Sequence, residues 1–261
     1  MELTIQLGAC GESRPVSLHV ISRSDQGDRD ENQDALNHAI SGEWHVCALA
    51  DGAGGHQGGQ VAAQQAVDFF LELFLLQPTV CRVQLLAMVN QVNKHILEMQ
   101  QLNTGLQDMH TTFCALVVNR DTLQALWLHV GDSRVYRFHQ DNLVSRTRDH
   151  SMLQWMTDHQ PDHSPPARNT LYTALGEQPS ELTIDISDVY TVTPGDWFLL
   201  CSDGLWEHFN DAELGLIGSS LWNQESFCTH IHQLALNRAT GRADNLSSMV
   251  LFVGEGCHSN G

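Results

Sequence analysis

The chain has 261 residues, 42% hydrophobic and 17% charged, enough for a substantial core and close to the upper size of one domain. Lys and Arg number 13 against 31 Asp and Glu, a formal charge of -18. Such a field repels phosphate backbones and anionic membrane surfaces, so it argues against nucleic acid and membrane partners.

The seven cysteines, Cys10, Cys47, Cys81, Cys114, Cys201, Cys228 and Cys257, are odd in number and form no C-x-x-C pair. Neither a disulfide framework nor a zinc ribbon is expected, and a reducing compartment is favoured. Met1-Glu2-Leu3 lacks the basic start and apolar core of a signal peptide, and the longest apolar stretch, 69–76, is short and interrupted by Glu72. A cytoplasmic location follows as the expectation.

In chain order, a short apolar run over 17–22 predicts a strand, followed by a polar segment from Ser24 to Asp34. A second strand is predicted over 44–50 and leads into the glycine-rich segment Asp51-Gly52-Ala53-Gly54-Gly55-His56. Apolar spacing then predicts helices over 60–76 and 83–100. Strands are predicted over 113–118 and 125–130, joined across Asn119-Arg120-Asp121, and again over 135–138. The stretch 157–169, with Pro161, Pro165 and Pro166, reads as a loop inside the domain. A strand over 197–201, a helix over 226–239 and a strand over 248–253 complete the pattern. Short polar turns between neighbouring strands favour antiparallel meanders over crossover units, so the expected class is α+β, with two packed antiparallel sheets flanked by helices.

The chemistry is concentrated in a recurrence. Four predicted strands end in, or are followed closely by, an aspartate beside a glycine or asparagine: Asp51-Gly52, Gly131-Asp132, Asp203-Gly204 and Asp244-Asn245. One such pair alone is usually a turn. Several carboxylates delivered to one sheet edge repel one another unless cations neutralise them, and oxygen ligands without His or Cys select magnesium or manganese. Upstream, Arg29 stands among carboxylates that include Asp34. The bland reading is a solvated turn. The sharper one gives Arg29 a phosphate to bind as a fork and Asp34 a water to orient.

These motifs, together with Thr111-Thr112, Gly131-Asp132-Ser133-Arg134, Thr147-Arg148-Asp149-His150-Ser151, Ala174-Leu175-Gly176 and Cys201-Ser202-Asp203-Gly204-Leu205, resemble the metal-dependent protein phosphatase family of type 2C in its compact bacterial form. The likeness runs over nearly the whole chain. It implies a sandwich of two antiparallel sheets between helix pairs, in α-β-β-α layers, with residues 1–261 as a single phosphatase domain. It implies two manganese or magnesium ions bridged by Asp51, with Asp203 and Asp244 completing one site, the Gly52 carbonyl contributing to the other and Asp34 acting through water. Asp132, with Asp203, matches a more weakly held third ion, and Arg29 matches the arginine that binds substrate phosphate.

The implied reaction is hydrolysis of phosphoseryl and phosphothreonyl esters by direct attack of activated water, with no phosphoenzyme. Phosphorylated proteins are the implied substrates, a bacterial Ser/Thr kinase the implied counterpart, and a monomer the expected state. Where animal members place a histidine, this chain has Ala53, so His56 is the nearest candidate general acid, weighed evenly against a structural role. The loop 157–169 falls where relatives carry a flap beside the active site.

Competing readings are weaker. The Gly52 to Gly59 cluster lacks the Lys-Ser/Thr of a P-loop, and Cys114 to Arg120 has no glycines with which to curl amides around phosphate. Ser202 lacks the flanking glycines of a nucleophile elbow. A phosphatase-like binding module without catalysis is the alternative from another class. The completeness of the aspartate set with Arg29 argues against it.

Overall fold

A computed structural model describes residues 16–53, 58–159, 170–222 and 224–256. The strands are β1 (Val16–Asp25), β2 (Asp34–Ser41), β3 (Trp44–Ala53), β4 (His110–Thr111), β5 (Phe113–Asn119), β6 (Gln124–Val130), β7 (Arg134–His139), β8 (Asn142–Arg146), β9 (Asp185–Ile186), β10 (Tyr190–Thr191), β11 (Asp196–Cys201) and β12 (Leu246–Glu255). The helices are α1 (Gly58–Leu76), α2 (Arg82–Leu102), α3 (Met152–His159), α4 (Asp203–Trp206), α5 (Asp211–Ser220) and α6 (Phe227–Ala239).

The strands form two antiparallel sheets, in the orders β1-β12-β11-β7-β8 and β10-β6-β5-β3-β2, with β4 added to β3 and β9 to β6. Strand periodicity sorts the side chains into three cores. Cys114, Leu116 and Val118 of β5 meet Phe198 and Leu200 of β11 between the sheets. Phe113, Ala115 and Val117 point the other way, onto Ala66, Phe70, Val89 and Val92 of α1 and α2. Trp197, Leu199 and Cys201 turn outward onto Leu214, Phe227 and Ile231 of α5 and α6. The result is the expected α-β-β-α layering. The first and last described strands, β1 and β12, are paired along their length.

The hairpin expected across 119–121 is present. Asn119 closes it, its Oδ1 accepting the N–H groups of Asp121 at 3.0 Å and Thr122 at 2.8 Å. All the strands and helices expected from the sequence form. The structure adds β2, β8, α3 and α5, and the short β4, β9, β10 and α4, which the apolar pattern did not mark. One expectation is corrected at its edge: Thr157, Asp158 and His159, expected as loop, end α3. There the Asp158 carboxylate accepts from Arg148 and Gln154. Residues 160–169 of that loop lie outside the described residues.

Cys47, Cys81, Cys114, Cys201 and Cys228 are all free thiols. No described helix is long and apolar enough to cross a membrane.

Candidate active site

The antiparallel pairing explains how residues far apart in sequence meet. Asp51 sits near the end of β3, and Asp34, the first residue of β2, lies directly opposite it in the register. Asp132 follows β6 by two residues and Asp203 follows β11 by two. Asp244 corrects the expectation that each aspartate ends or closely follows a strand, because it precedes β12. Since β11 and β12 run antiparallel, with Cys201 opposite Ser248, the start of β12 stands beside the end of β11. All five aspartates therefore reach the same end of the sandwich.

There they meet around an open cleft of about 520 Å³ whose lining includes Arg29, Asp51, Gly52, Asp132, Asp203 and Asp244. Asp34 lies behind this lining and is buried. His56 falls in 54–57, outside the described residues, so it has no place in the geometry below.

The backbone carrying Asp51 is held from both sides. Its N–H donates to Thr112 Oγ1 at 2.9 Å, and its carbonyl accepts from the Thr111 hydroxyl at 2.9 Å and the Thr112 N–H at 2.8 Å. Gly52 is needed for a close approach. A Cβ there would lie 2.1 Å from the carbonyl oxygen of Gly59, where the start of α1 presses on β3. That packing reason stands beside the carbonyl contribution that the resemblance implies for Gly52.

Asp34 is held across the two sheets: Ser202 Oγ donates to its Oδ2 at 2.8 Å and itself accepts the Ser247 N–H at 3.0 Å. Asn245 anchors the segment before β2, its Oδ1 accepting the Gln33 N–H and its Nδ2 donating to the carbonyls of Gln26 and Glu31. Arg29 donates to Asp244 Oδ2 at 2.5 Å while remaining largely exposed on the cleft wall.

Ser202, Thr112 and Asn245 were not picked out for these roles from the sequence. For Ser202 a signal existed: Phe198 and Leu200 face the inter-sheet core, and the alternation continues to Ser202, which must therefore point between the sheets.

The electrostatics are those of a site that wants positive charge. Burial, partly offset by the Ser202 hydroxyl, pushes Asp34 up to about 7. Burial and then the Asp203 carboxylate push Asp132 up to about 7, and burial with Asp244 pushes Asp203 up to about 6. Asp51 is driven well above the usual carboxylate range by burial and by the carboxylates of Asp34, Asp203, Asp132 and Asp244.

The donor set tests directly whether a hard divalent cation fits. It consists of carboxylates with the Gly52 backbone alongside, and Asp34 Oδ1 is buried without a hydrogen-bond partner. Both features suit magnesium or manganese.

Comparison with known proteins places this geometry. The family model described as Protein phosphatase 2C matches residues 22–248. The serine/threonine protein phosphatase PstP of Mycobacterium tuberculosis is 31% identical over 201 residues, which is 74% of this chain and 37% of that protein. The chain thus spans little more than a third of that relative's length. The serine/threonine phosphatase stp of Listeria innocua is 29% identical over 211 residues, covering 76% of this chain and 81% of that protein. The solved catalytic domain of PstP in complex with 2 manganese ions superposes with a TM-score of 0.78 at 27% identity, covering 92% of this chain and 99% of that one.

Proposed function

This chain belongs to the protein phosphatase 2C family, and we propose that it is a metal-dependent protein serine/threonine phosphatase acting on phosphoseryl and phosphothreonyl esters. The observation that carries the proposal is the convergence of Asp34, Asp51, Asp132, Asp203 and Asp244 with Arg29 at one end of the sandwich. The two manganese ions of the PstP catalytic domain support the cofactor assignment.

In this reading Asp51, Asp203, Asp244 and the Gly52 carbonyl hold two manganese or magnesium ions, Asp34 acts through water, and Asp132 with Asp203 holds a weaker third. When bound, such cations supply an activated water for attack on phosphorus and neutralise charge on the phosphate oxygens. The protein's own groups do the rest. Ser202 fixes Asp34 through Oδ2, so its unpartnered Oδ1 is free to accept a hydrogen bond from the attacking water. Thr111 and Thr112 clamp the Asp51 backbone, so its carboxylate does not follow the substrate as it moves. Arg29, on the open wall, presents its guanidinium to the equatorial phosphate oxygens where transition-state charge spreads. His56 is the proposed proton donor to the leaving seryl or threonyl oxygen.

The pairing of β1 with β12 supports one domain over 1–261, with the segment 157–169 as a flap influencing substrate choice. Phosphorylated proteins are the substrates and a Ser/Thr kinase the counterpart. The protein works as a cytoplasmic monomer.

The test is release of phosphate from a phosphothreonine peptide with manganese, with chelator, and in D203N. Manganese-dependent release lost in both controls is expected. A folded protein that binds the peptide without turnover at saturating manganese would instead be a phosphoprotein-binding module.

A further inference from the structure

We propose that His150 is a positioning residue for Asp132, acting through Gly131 and held in a single tautomer by Asp185. The role in turnover rests on the phosphatase reading; the clamp itself does not. Gly131 has φ +93°, and a Cβ there would lie 2.7 Å from Thr112 Cγ2 and 2.8 Å from Thr112 Cβ. Only glycine suits such a position. With no side chain to lock it, the peptide leading into Asp132 must take its orientation from backbone contacts.

His150 supplies two. Its N–H donates to the Gly131 carbonyl at 2.9 Å, and its ring Nδ1 accepts the Gly131 N–H at 3.2 Å. An Nδ1 that accepts carries no proton, so the neutral ring is protonated at Nε2, which points at Asp185 Oδ2, 3.2 Å away. The ring is 2% exposed, so water does not compete for these contacts. It stacks on His129 with centroids 4.3 Å apart, and His129 Nε2 donates to the Arg148 carbonyl at 2.8 Å. Asp185, on the short strand β9, is open to solvent.

His129, His150 and Asp185 also bring ligand-type atoms within 4.8 Å of one another, and Nδ1 of His129 is buried without a partner. A transition-metal site is the competing explanation. The Gly131 bond decides against it: with Nδ1 accepting and Nε2 protonated, His150 has no lone pair to give a cation. The rings are stacked with an interplanar angle of 29°, so their nitrogens do not converge on a point between them.

The test uses the full chain and the variants H150A, H150N, H150Q, D185A and H129A. An Asn oxygen reaches the place of Nδ1 and can accept from Gly131, whereas Gln reaches toward Nε2 and leaves Gly131 unpaired. Exchange of the Gly131 amide, followed by NMR without cation or substrate, is expected to accelerate in H150A and H150Q and to return toward the parent rate in H150N. With manganese and phosphopeptide, H150A is expected to lose 10-fold or more in kcat with KM little changed, and to need more manganese for half-maximal rate. H150N should recover most of both, H150Q neither, and D185A should fall between.

Unchanged Gly131 exchange in folded H150A would overturn the clamp even if the parent proves inactive. Unchanged kcat and manganese requirement in H150A, with the parent active, would overturn the role in catalysis. Stoichiometric zinc binding that H129A abolishes would replace the clamp with a metal site.

Discussion

Ser202 Oγ donates to Asp34 Oδ2 at 2.8 Å and joins the two sheets at the point where the carboxylates gather. Ser202 follows β11 in one sheet and Asp34 begins β2 in the other, so this bond sets their separation at the cleft floor. Without the hydroxyl, Asp34 loses its 2.8 Å bond across the sheets and keeps only the weaker hold of Ser247. S202A is therefore expected to keep its fold and lose roughly 10- to 100-fold in kcat. KM should change little, because Ser202 is fully buried and does not line the cleft. Steady-state kinetics beside a thermal melt separates this outcome from simple unfolding.

Removal of cations should give stability an unusual pH dependence. Asp34 and Asp132, pushed up to about 7, and Asp51, pushed well above its usual range, bind more protons folded than unfolded. Stability of the chelated protein must then fall as pH rises through 7. Buried His129 works in the opposite sense, held down to about 4 chiefly by burial. It takes effect as pH drops below its unfolded value of 6.5. Between pH 6.5 and 8 the carboxylates dominate. The melting temperature in chelator is expected to rise by several degrees on going from pH 8 to 6.5, and saturating manganese should abolish or reverse that trend. A flat or inverted profile in chelator would show that the carboxylates are not crowded.

The contact of Gly52 with Gly59 makes position 52 intolerant of any side chain. A Cβ 2.1 Å from the Gly59 carbonyl oxygen must push β3 and α1 apart. G52A is expected to cost about 2 to 3 kcal/mol, measured by urea unfolding, and to lose activity out of proportion to that cost because Asp51 moves with the strand. An alanine on the open turn at Gly42, where nothing lies within 4 Å of the added Cβ, is the control. Its positive φ of 60° carries a cost of its own, about 1 kcal/mol, but it leaves the cleft untouched.

Arg134 and Asp149 form a two-pronged pair, with both contacts at 2.7 Å and the guanidinium 3.5 Å over the Trp206 ring. Both side chains are nearly buried. D149A strands a cation and should destabilise by about 3 to 5 kcal/mol, whereas the double change R134M/D149L should lose much less. Equal losses in the single and double variants, read by chemical denaturation, would count against the pair.

Much of the architecture was legible in the sequence because its core strands are nearly all apolar and its long helices carry a clear stripe. β2 escaped because its burial is confined to the first residues, Asp34 and Ala35, and the rest is exposed or half-buried on a sheet edge. α5 escaped because Gly215 and Gly218 weaken helical propensity. The fold requires them there: a Cβ on Gly218 would lie 2.0 Å from the Trp197 ring, and one on Gly215 would lie 2.1 Å from the Asp141 carbonyl oxygen.

The identities of the candidate site were also present in the sequence, since aspartates beside glycine or asparagine recur next to four apolar runs. Which of them meet was a matter for the tertiary structure. Asp244 belongs to the cleft because β12 runs antiparallel to β11, and Asp34 because it faces Asp51 in the β2 and β3 register. The partners that hold them, Ser202, Thr112, Asn245 and His150, come from other strands and loops. A hydrogen bond between residues 168 positions apart, such as that from Ser202 to Asp34, leaves no local pattern. The sequence by itself determined which groups carry charge and which faces are apolar; the folded chain decided which charges must share one buried corner and what fixes each of them there.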